Sequence, residues 1–495
     1  MNAVRCVSLD GADNVVLLPG GGDKGSAAGG LRLVCDVPPG HKVARVPIPA
    51  GAGVVKHGGE IGFARRDIAA GEWVHLHNLA SRLSGALDPL AGRFGLRRPW
   101  VREFSARGRE FLGFRRHWGK PGVRNELWVI PTAGCVCGTV RRVLDTYRKP
   151  FWIDAVRFAA HPYGSGRTAL PWATENLLDV LSGLALNPNA AGVLLVEPGD
   201  AGLSAALLRE RIEEKNVFRN VKSISLAGED VGEIPLMLDK LAVDAPRTRE
   251  RFPLADLRVG MLCGDVSDVD AAISCALLGR FADFLTGNGG AVLASATPVL
   301  CGADAAAASR IGKKATFEDF MRYVKETYAS FRNYGLPVCR PPSAEAAQAG
   351  ITTCEEAALA ALAASGHAPL TRVLALGEQV GGEDGVRLVP GASDDLVSAT
   401  SLAASGAQLV LSAGRGALPP PGVVPALAVS LATPSPEHAE GRNVSEPACP
   451  CDEAAWKEEA ARLRDAVLDT ANGRLTEAEI RSDGEIAVFL DGVTL

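Results

Sequence analysis

Over its first hundred residues the chain repeats short apolar runs broken by glycine and proline: VVLL at 15–18, LRLVCDV at 31–37, KVARVPI at 42–48 and WVHLHN at 73–78. The turn signals between them (GGG, PPG, AGAG, HGG, AAG) recur every 8–12 residues, and no helical periodicity intervenes. This pattern predicts a small all-β module over 1–100. Further on, continuous apolar runs alternate with segments of helical period. NELWVIPTAG, IDAVRFAAHPYG, AGVLLVEPG and VKSISLAG read as buried strands, with helices at VCGTVRRVLDTYR, TENLLDVLSGLA and LSAALLRERIEEK between them. Strand–helix alternation is the signature of a parallel sheet covered by helices.

The charged, proline-bounded PRTRERFP at 246–253 interrupts the alternation. It restarts with LRVGMLCG, a helix near 268–286, AVLASATP, a helix near 316–330, and further alternation through AQLVLSAGRG to ALAVSLAT. The tail places Trp456, Ala460, Leu463 and Val467 on one helical face, which predicts a docking helix. The expected fold class is thus α/β multidomain: an all-β module over 1–100 and two α/β domains with largely parallel sheets over 101–250 and 251–495.

Composition sharpens this reading. With 495 residues, 47% apolar and 22% charged, the chain is long enough for several cores and far from a disordered composition. Its 52 Lys and Arg against 57 Asp and Glu leave a net charge of −5, without a global drive toward nucleic acid or anionic lipid. Ten basic residues against two acidic ones between Arg93 and Arg124 read as a charged interdomain surface, since no regular aromatic interleave accompanies them. Asp10 and Asp13 interrupt any secretory signal, and no run of about 18 apolar residues occurs. A cytoplasmic protein that spans no membrane is expected. Eleven scattered cysteines fit reduced thiols better than a disulfide framework.

Candidate chemistry centres on a few residues. Strand alternation would put His75 and His77 of His75-Leu76-His77-Asn78 on one side of a strand, either as the start of a divalent metal site or as hydrogen-bonded histidines. His41, Lys42, Lys56 and His57 in the same module either hold an anion or are solvated. His161-Pro-Tyr-Gly-Ser-Gly166 follows an apolar strand directly, where parallel sheets place ligand loops, and equally suits ordinary loop structure. The Cys135-Val-Cys137 pair lacks a second pair nearby and so does not read as zinc. No GxSxG or GxxxxGK[ST] occurs, and the GxGxxG spacing of Gly20, Gly22 and Gly25 falls in the β module with no helix after it to make a phosphate loop, which argues against serine hydrolysis, Rossmann hydride transfer and ATP chemistry.

The order of segments resembles one family, the altronate and galactarate dehydratases, hydro-lyases of sugar acids. PPGHKVA and VVKHGGEIGFARRDIAAGEWVHLHN are similar to that family's N-terminal SAF (β-clip) domain. The likeness continues through FLGFRR, GVRNELWVIPTAGC, His161 with Gly164 and Gly166, NPNAAGVLLVEPG, Cys263-Gly264, Thr297-Pro298, GITTCEEAAL, PGASDDLVSAT and Gly414-Arg415-Gly416. Departures fall at Ser165, where the family pattern has cysteine, within 263–279, at Val299 and near Ala347.

The resemblance implies elimination of water from an aldonate or aldarate, beginning with loss of a proton beside the carboxylate and assisted by a divalent cation, Fe2+ with Mn2+ or Mg2+ as alternatives. For those roles the chain offers His75 and His77 as metal ligands, His161 and Lys42 as catalytic groups, and Lys56, Asn78 and Arg415 toward the substrate. The expected partner is a small sugar acid or related hydroxy acid, with no nucleic acid and no membrane; homo-oligomer formation is left open. Two other readings stand beside this one: a sulfo-lyase acting on a sulfonated 2-hydroxy acid, and a noncatalytic binding or regulatory relative.

Overall fold

A computed structural model describes residues 3–83, 110–163, 171–199, 203–227, 231–264, 266–297, 300–338, 341–381, 385–414, 422–429, 453–480 and 484–489. The N-terminal module is a set of small sheets, as its short runs predict. Val15–Leu18 pairs antiparallel with His41–Ala44, which pairs with Trp73–Val74; Gly53–Lys56 pairs with Gly59–Ala64, which pairs with Leu79–Ala80. The hairpin between Lys56 and Gly59 turns on His57 (φ 56°) and Gly58 (φ 70°), the two successive positive φ values that a tight two-residue hairpin requires.

The strand expected over 73–78 is shorter in the structure. After Val74 the chain turns, with Asn78 donating its backbone N–H to His75 O and its Oδ1 accepting from His75 N, both at 2.9 Å. An asparagine that satisfies the backbone locally competes with the ladder, which ends the strand there.

Two parallel sheets follow. Four strands order as Val156–Phe158, Glu126–Pro131, Ala190–Glu197 and Val221–Ser225. Six order as Leu370–Val373, Gly385–Pro390, Ala291–Ala296, Arg258–Cys263, Leu409–Ala413 and Ala426–Val429. An antiparallel ribbon of Glu110–Gly113 with Glu250–Pro253 links the ends of the intervening region. The sheets stack through the helices Pro171–Ala185 and Asp395–Ala404, and one apolar cluster runs from Trp128, Ile130 and Leu195 to Leu262, Leu293 and Val410. A second cluster joins Val15, Ile48 and Val54 of the β module to Met261, Leu278 and Phe281, so the module shares a core with the six-stranded domain.

The tail helix Glu453–Ala471 lies on Val269–Gly287 with Trp456, Leu463 and Val467 buried and Ala460 partly so, as its spacing predicts. Cys263 and Cys275 lie with their sulfurs side by side. One ends a strand and the other lies in the helix packed behind it, an adjacency that their sequence positions do not signal. No helix among the described residues is long and apolar enough to cross a membrane.

Candidate functional site at the carboxyl edge of the six-stranded sheet

In a parallel sheet the loops at the carboxyl ends of the strands open a crevice where the strand order reverses. Here the connection after Arg258–Cys263 runs to Ala291–Ala296 on one side, whereas the chain after Gly385–Pro390 crosses to Leu409–Ala413 on the other. The crevice therefore lies between the ends of Arg258–Cys263 and Leu409–Ala413, where Gly264 N donates to Ala413 O at 2.9 Å. Gly264 faces Asp395 there: a Cβ on it would sit 3.4 Å from Asp395 Oδ1, an ordinary contact distance. Cys263-Gly264, Thr297, the Gly391–Asp395 turn and Gly414 all lie at strand ends along this one edge.

Two helices begin at the edge, each preceded by an aspartate cap. Asp268 accepts from Ala271 N at 2.8 Å at the start of Val269–Gly287, and Asp394 accepts from Val397 N at 3.0 Å at the start of Asp395–Ala404. Each cap is followed closely by another acid. Partial burial, and then the neighbouring cap, pushes the carboxyls of Asp270 and Asp395 up from their ordinary value, although Asp395 stays exposed at the surface. The buried hydroxyls of Ser267 and Ser295 make no hydrogen bond among the described residues. The reading of the sequence did not single out Asp395. The available signal was an acidic pair opening a helix directly after a buried strand.

The residues singled out from the sequence fall elsewhere. His161 lies at the edge of the four-stranded sheet, where Nε2 bonds Pro131 O at 2.8 Å and Nδ1 accepts from Tyr163 N at 3.2 Å. Those partners hold a neutral ring with a proton on Nε2, and burial lowers its pKa further. Both nitrogens are committed to the fold of the loop, so the expected base or ligand is a structural histidine. The reason is local: the Pro131 carbonyl at the strand end needs a donor, and the ring supplies it.

Lys42 and Lys56, expected to act on substrate, are buried against Glu356. Lys42 Nζ lies 2.9 Å from Glu356 Oε2 and also bonds Gly350 O and Thr352 Oγ1, and Lys56 Nζ lies 2.6 Å from Glu356 Oε1. These ammonium groups tie the β module to the helix Cys354–Ala363 and are not open to a carboxylate from solution. Glu356 was also missed from the sequence, although Thr353-x-x-Glu356 is a capping-box signature; Thr353 Oγ1 accepts from Glu356 N, while the acid itself turns to the lysines. His57 is not solvated as expected: burial lowers its pKa to about 3, and its buried ring nitrogens make no hydrogen bond among the described residues. Asn78 is spent on the turn, its Nδ2 donating to Trp73 O at 2.9 Å. Arg415 and Ser165 lie outside the described residues.

His75 and His77 do come together, but in an aromatic cluster. Their ring centroids are 6.5 Å apart, Trp73 lies 5.0 and 5.2 Å from them, and His41 lies 5.2 Å from His75. His75 Nε2 bonds Ala347 O at 3.0 Å, which docks the β module on the far domain. Gly40, beside it, has φ 80°, and a Cβ there would meet Ala349 O at 3.1 Å and Val269 at 3.5 Å; the module thus abuts the N-terminus of the helix that opens at the crevice. A divalent cation held by His75, His77 and His161 does not fit this arrangement. His161 has no nitrogen left, His75 has one committed, and no group of three His, Cys, Asp or Glu among the described residues is arranged to hold an ion.

Comparison with known proteins agrees with this architecture. Residues 4–82 match the altronate/galactarate dehydratase SAF domain, 113–238 the second domain of D-galactarate dehydratase/altronate hydrolase, and 254–494 the D-galactarate/altronate dehydratase C-terminal domain. An altronate dehydratase of Bacillus subtilis (strain 168) is 32% identical over 473 residues, covering 93% of each chain. An altronate dehydratase of Escherichia coli (strain K12) is 31% identical over 478 residues, also covering 93% of each. A galactarate dehydratase (L-threo-forming) of Escherichia coli (strain K12) is 25% identical over 468 residues, 86% of this chain and 84% of the relative. With the domain order matched from end to end and identity above 30% across nearly all of its length, this chain belongs to the altronate/galactarate dehydratase family.

Proposed function

We propose that the chain is a hydro-lyase that removes water from a sugar acid, an aldonate or aldarate, to give a 2-keto-3-deoxy acid. The observation that carries this reading, beside family membership, is the position of the exposed Asp395 carboxyl beside Gly264 at the carboxyl edge of the six-stranded sheet, with its pKa pushed up from the ordinary value. The reaction takes the proton beside the carboxylate and expels the neighbouring hydroxide as water; the enol left behind tautomerises to the keto acid. Asp395 is placed to move a proton at this carbon or at the departing oxygen. The two helix N-termini at the crevice favour the substrate's negative charge, and the Ser267 and Ser295 hydroxyls offer hydrogen bonds to its polyol chain. No step is routed through a divalent cation: His75 and His77 meet within an aromatic cluster, and His161 lies apart with both nitrogens engaged.

The test is a panel of aldonates and aldarates, altronate and galactarate among them, assayed for 2-keto acid before and after dialysis against a chelator and readdition of Fe2+, Mn2+ or Mg2+. Asp395→Asn should lower kcat by about a hundredfold or more while the circular dichroism stays unchanged. Full turnover in that variant removes Asp395 from the chemistry. A second reading, sulfite release from a sulfonated 2-hydroxy acid, is favoured by a (2R)-sulfolactate sulfo-lyase subunit beta of Chromohalobacter salexigens that is 25% identical over 271 residues, 51% of this chain. Sulfolactate belongs in the panel for that reason. Absence of turnover on all of these would favour the binding or regulatory reading.

A further inference from the structure

At the opposite, amino edge of the two parallel sheets lies a cleft of about 410 Å³, within the usual range for a small-molecule site. Trp118, Leu186, Pro188 and Leu376 give it apolar walls, and Lys120, Lys215, Arg258, Asp179 and Glu378 bring charge to it. It spans the seam between the α/β domains: Lys215 ends the helix Ala205–Lys215 of one, and Arg258 opens the strand Arg258–Cys263 of the other.

Pairing the charges leaves an imbalance. Asp179 bonds Arg211 at 2.6 Å, Glu378 bonds Arg372 at 2.5 Å, and Lys120 bonds Asp256 at 2.5 Å. Among the described residues Lys215 hydrogen-bonds a neutral acceptor, Ser182 Oγ at 2.9 Å, with no carboxylate in direct ion-pair contact. The Arg258 guanidinium makes no hydrogen bond or ion pair among the described residues; only its backbone is engaged, with Gln408. Burial, and then the nearby Arg387, lowers Arg258 to about 10 against a smaller pull from Asp256; burial lowers the more exposed Lys215 as well, against the pull of Asp179, Glu378 and Glu214. For Arg258 this is a net cost in stability, because a half-buried guanidinium without a hydrogen bond or ion pair is not repaid for its desolvation.

We propose that this cleft is a binding site for a small organic anion, its carboxylate or phosphate group held between Arg258 and Lys215 and its body against Trp118 and Leu376. The guanidinium supplies the fork that fits an oxyanion, and the ammonium supplies the second charge. Because the two cations belong to different domains, the bound anion fastens the seam between them at the edge remote from the crevice. The site is therefore suited to regulation by a metabolite, and it stands whether or not the crevice turns over a sugar acid.

The test uses the full-length protein and two probes, inorganic phosphate and malonate, with thermal unfolding and calorimetry at ionic strength held constant with sodium chloride. Saturable binding of at least one probe with a rise in Tm is expected, as for any ligand that binds only the folded state. Phosphate alone would mark a phosphate-bearing metabolite and malonate alone a carboxylate. Arg258→Gln should weaken binding at least tenfold, and Lys215→Gln should weaken it less. Arg258→Gln should also unfold no earlier than the parent protein when no probe is present, since it removes an uncompensated charge. No binding of either probe up to about 10 mM, where a millimolar site would be largely filled, overturns the proposal. So does undiminished binding by Arg258→Gln, or a fall in its Tm without probe, which would mark the arginine as structural.

Discussion

Glu356 carries two buried ammonium groups on one carboxylate, Lys42 on Oε2 and Lys56 on Oε1, while Thr352 N donates to it at 2.8 Å. Burial alone would raise the acid, but the two lysines overcome this and hold it well below its ordinary range. Burial likewise lowers Lys42 to about 8. Glu356→Gln should therefore cost about 3–5 kcal/mol, measured as a shift in the urea midpoint, because it strands both charges. The sign with pH follows: without Glu356 the buried Lys42 gives up its proton below the pH of about 8 at which it does so in the parent protein, so its share of the deficit should shrink as pH rises toward 8 and level off above it. A deficit that stays constant or grows with pH would contradict the pairing. Both lysines were visible in the sequence as basic residues of a β module, but a residue 300 positions away took them, and no local pattern announces that.

The tail helix Glu453–Ala471 shows what periodicity determines well. Its apolar positions follow helical spacing and all turn inward, onto Val269–Gly287. Trp456 does more than fill space: its Nε1 donates to Ser8 O at 3.1 Å, and Arg280 lies 4.7 Å from its ring, so one side chain joins the tail, the six-stranded domain and the β module. Trp456→Ala should cost about 3–5 kcal/mol of stability in denaturant titration, and Trp456→Phe appreciably less. An unchanged midpoint in the alanine variant would mean the helix is not docked. At the same level the sequence misjudged 73–78, because alternation of Trp73, His75 and His77 mimics a strand while Asn78 closes a turn.

Assembly of the β module on the far domain brings together groups that nothing local relates. His367 sits between Asp10 and Asp283, at 3.2 and 2.8 Å, and these hydrogen bonds raise it to about 9. A histidine raised above its ordinary 6.5 contributes stability that is complete below that pH and is lost as pH climbs through 9. The ring is largely exposed, so the contribution is on the order of 1 kcal/mol or less. The Tm advantage of the parent protein over His367→Gln should be present at pH 6 and gone by pH 10; an advantage that persists at pH 10 would rule this out.

Strand and helix order, the change from β module to parallel sheets and the docking tail follow from side-chain periodicity, since burying an apolar face imposes period 2 or 3.6 on any chain that forms one. Family motifs were legible too, as short strings at strand ends. Their meeting along one carboxyl edge depended on strand order, with Asp395 brought against Gly264 by a crossover between distant segments. The fate of each polar group was likewise beyond local reading. Whether a lysine or histidine reaches solvent, a ligand or a buried partner is set by desolvation and charge pairing, which act through space between residues hundreds of positions apart.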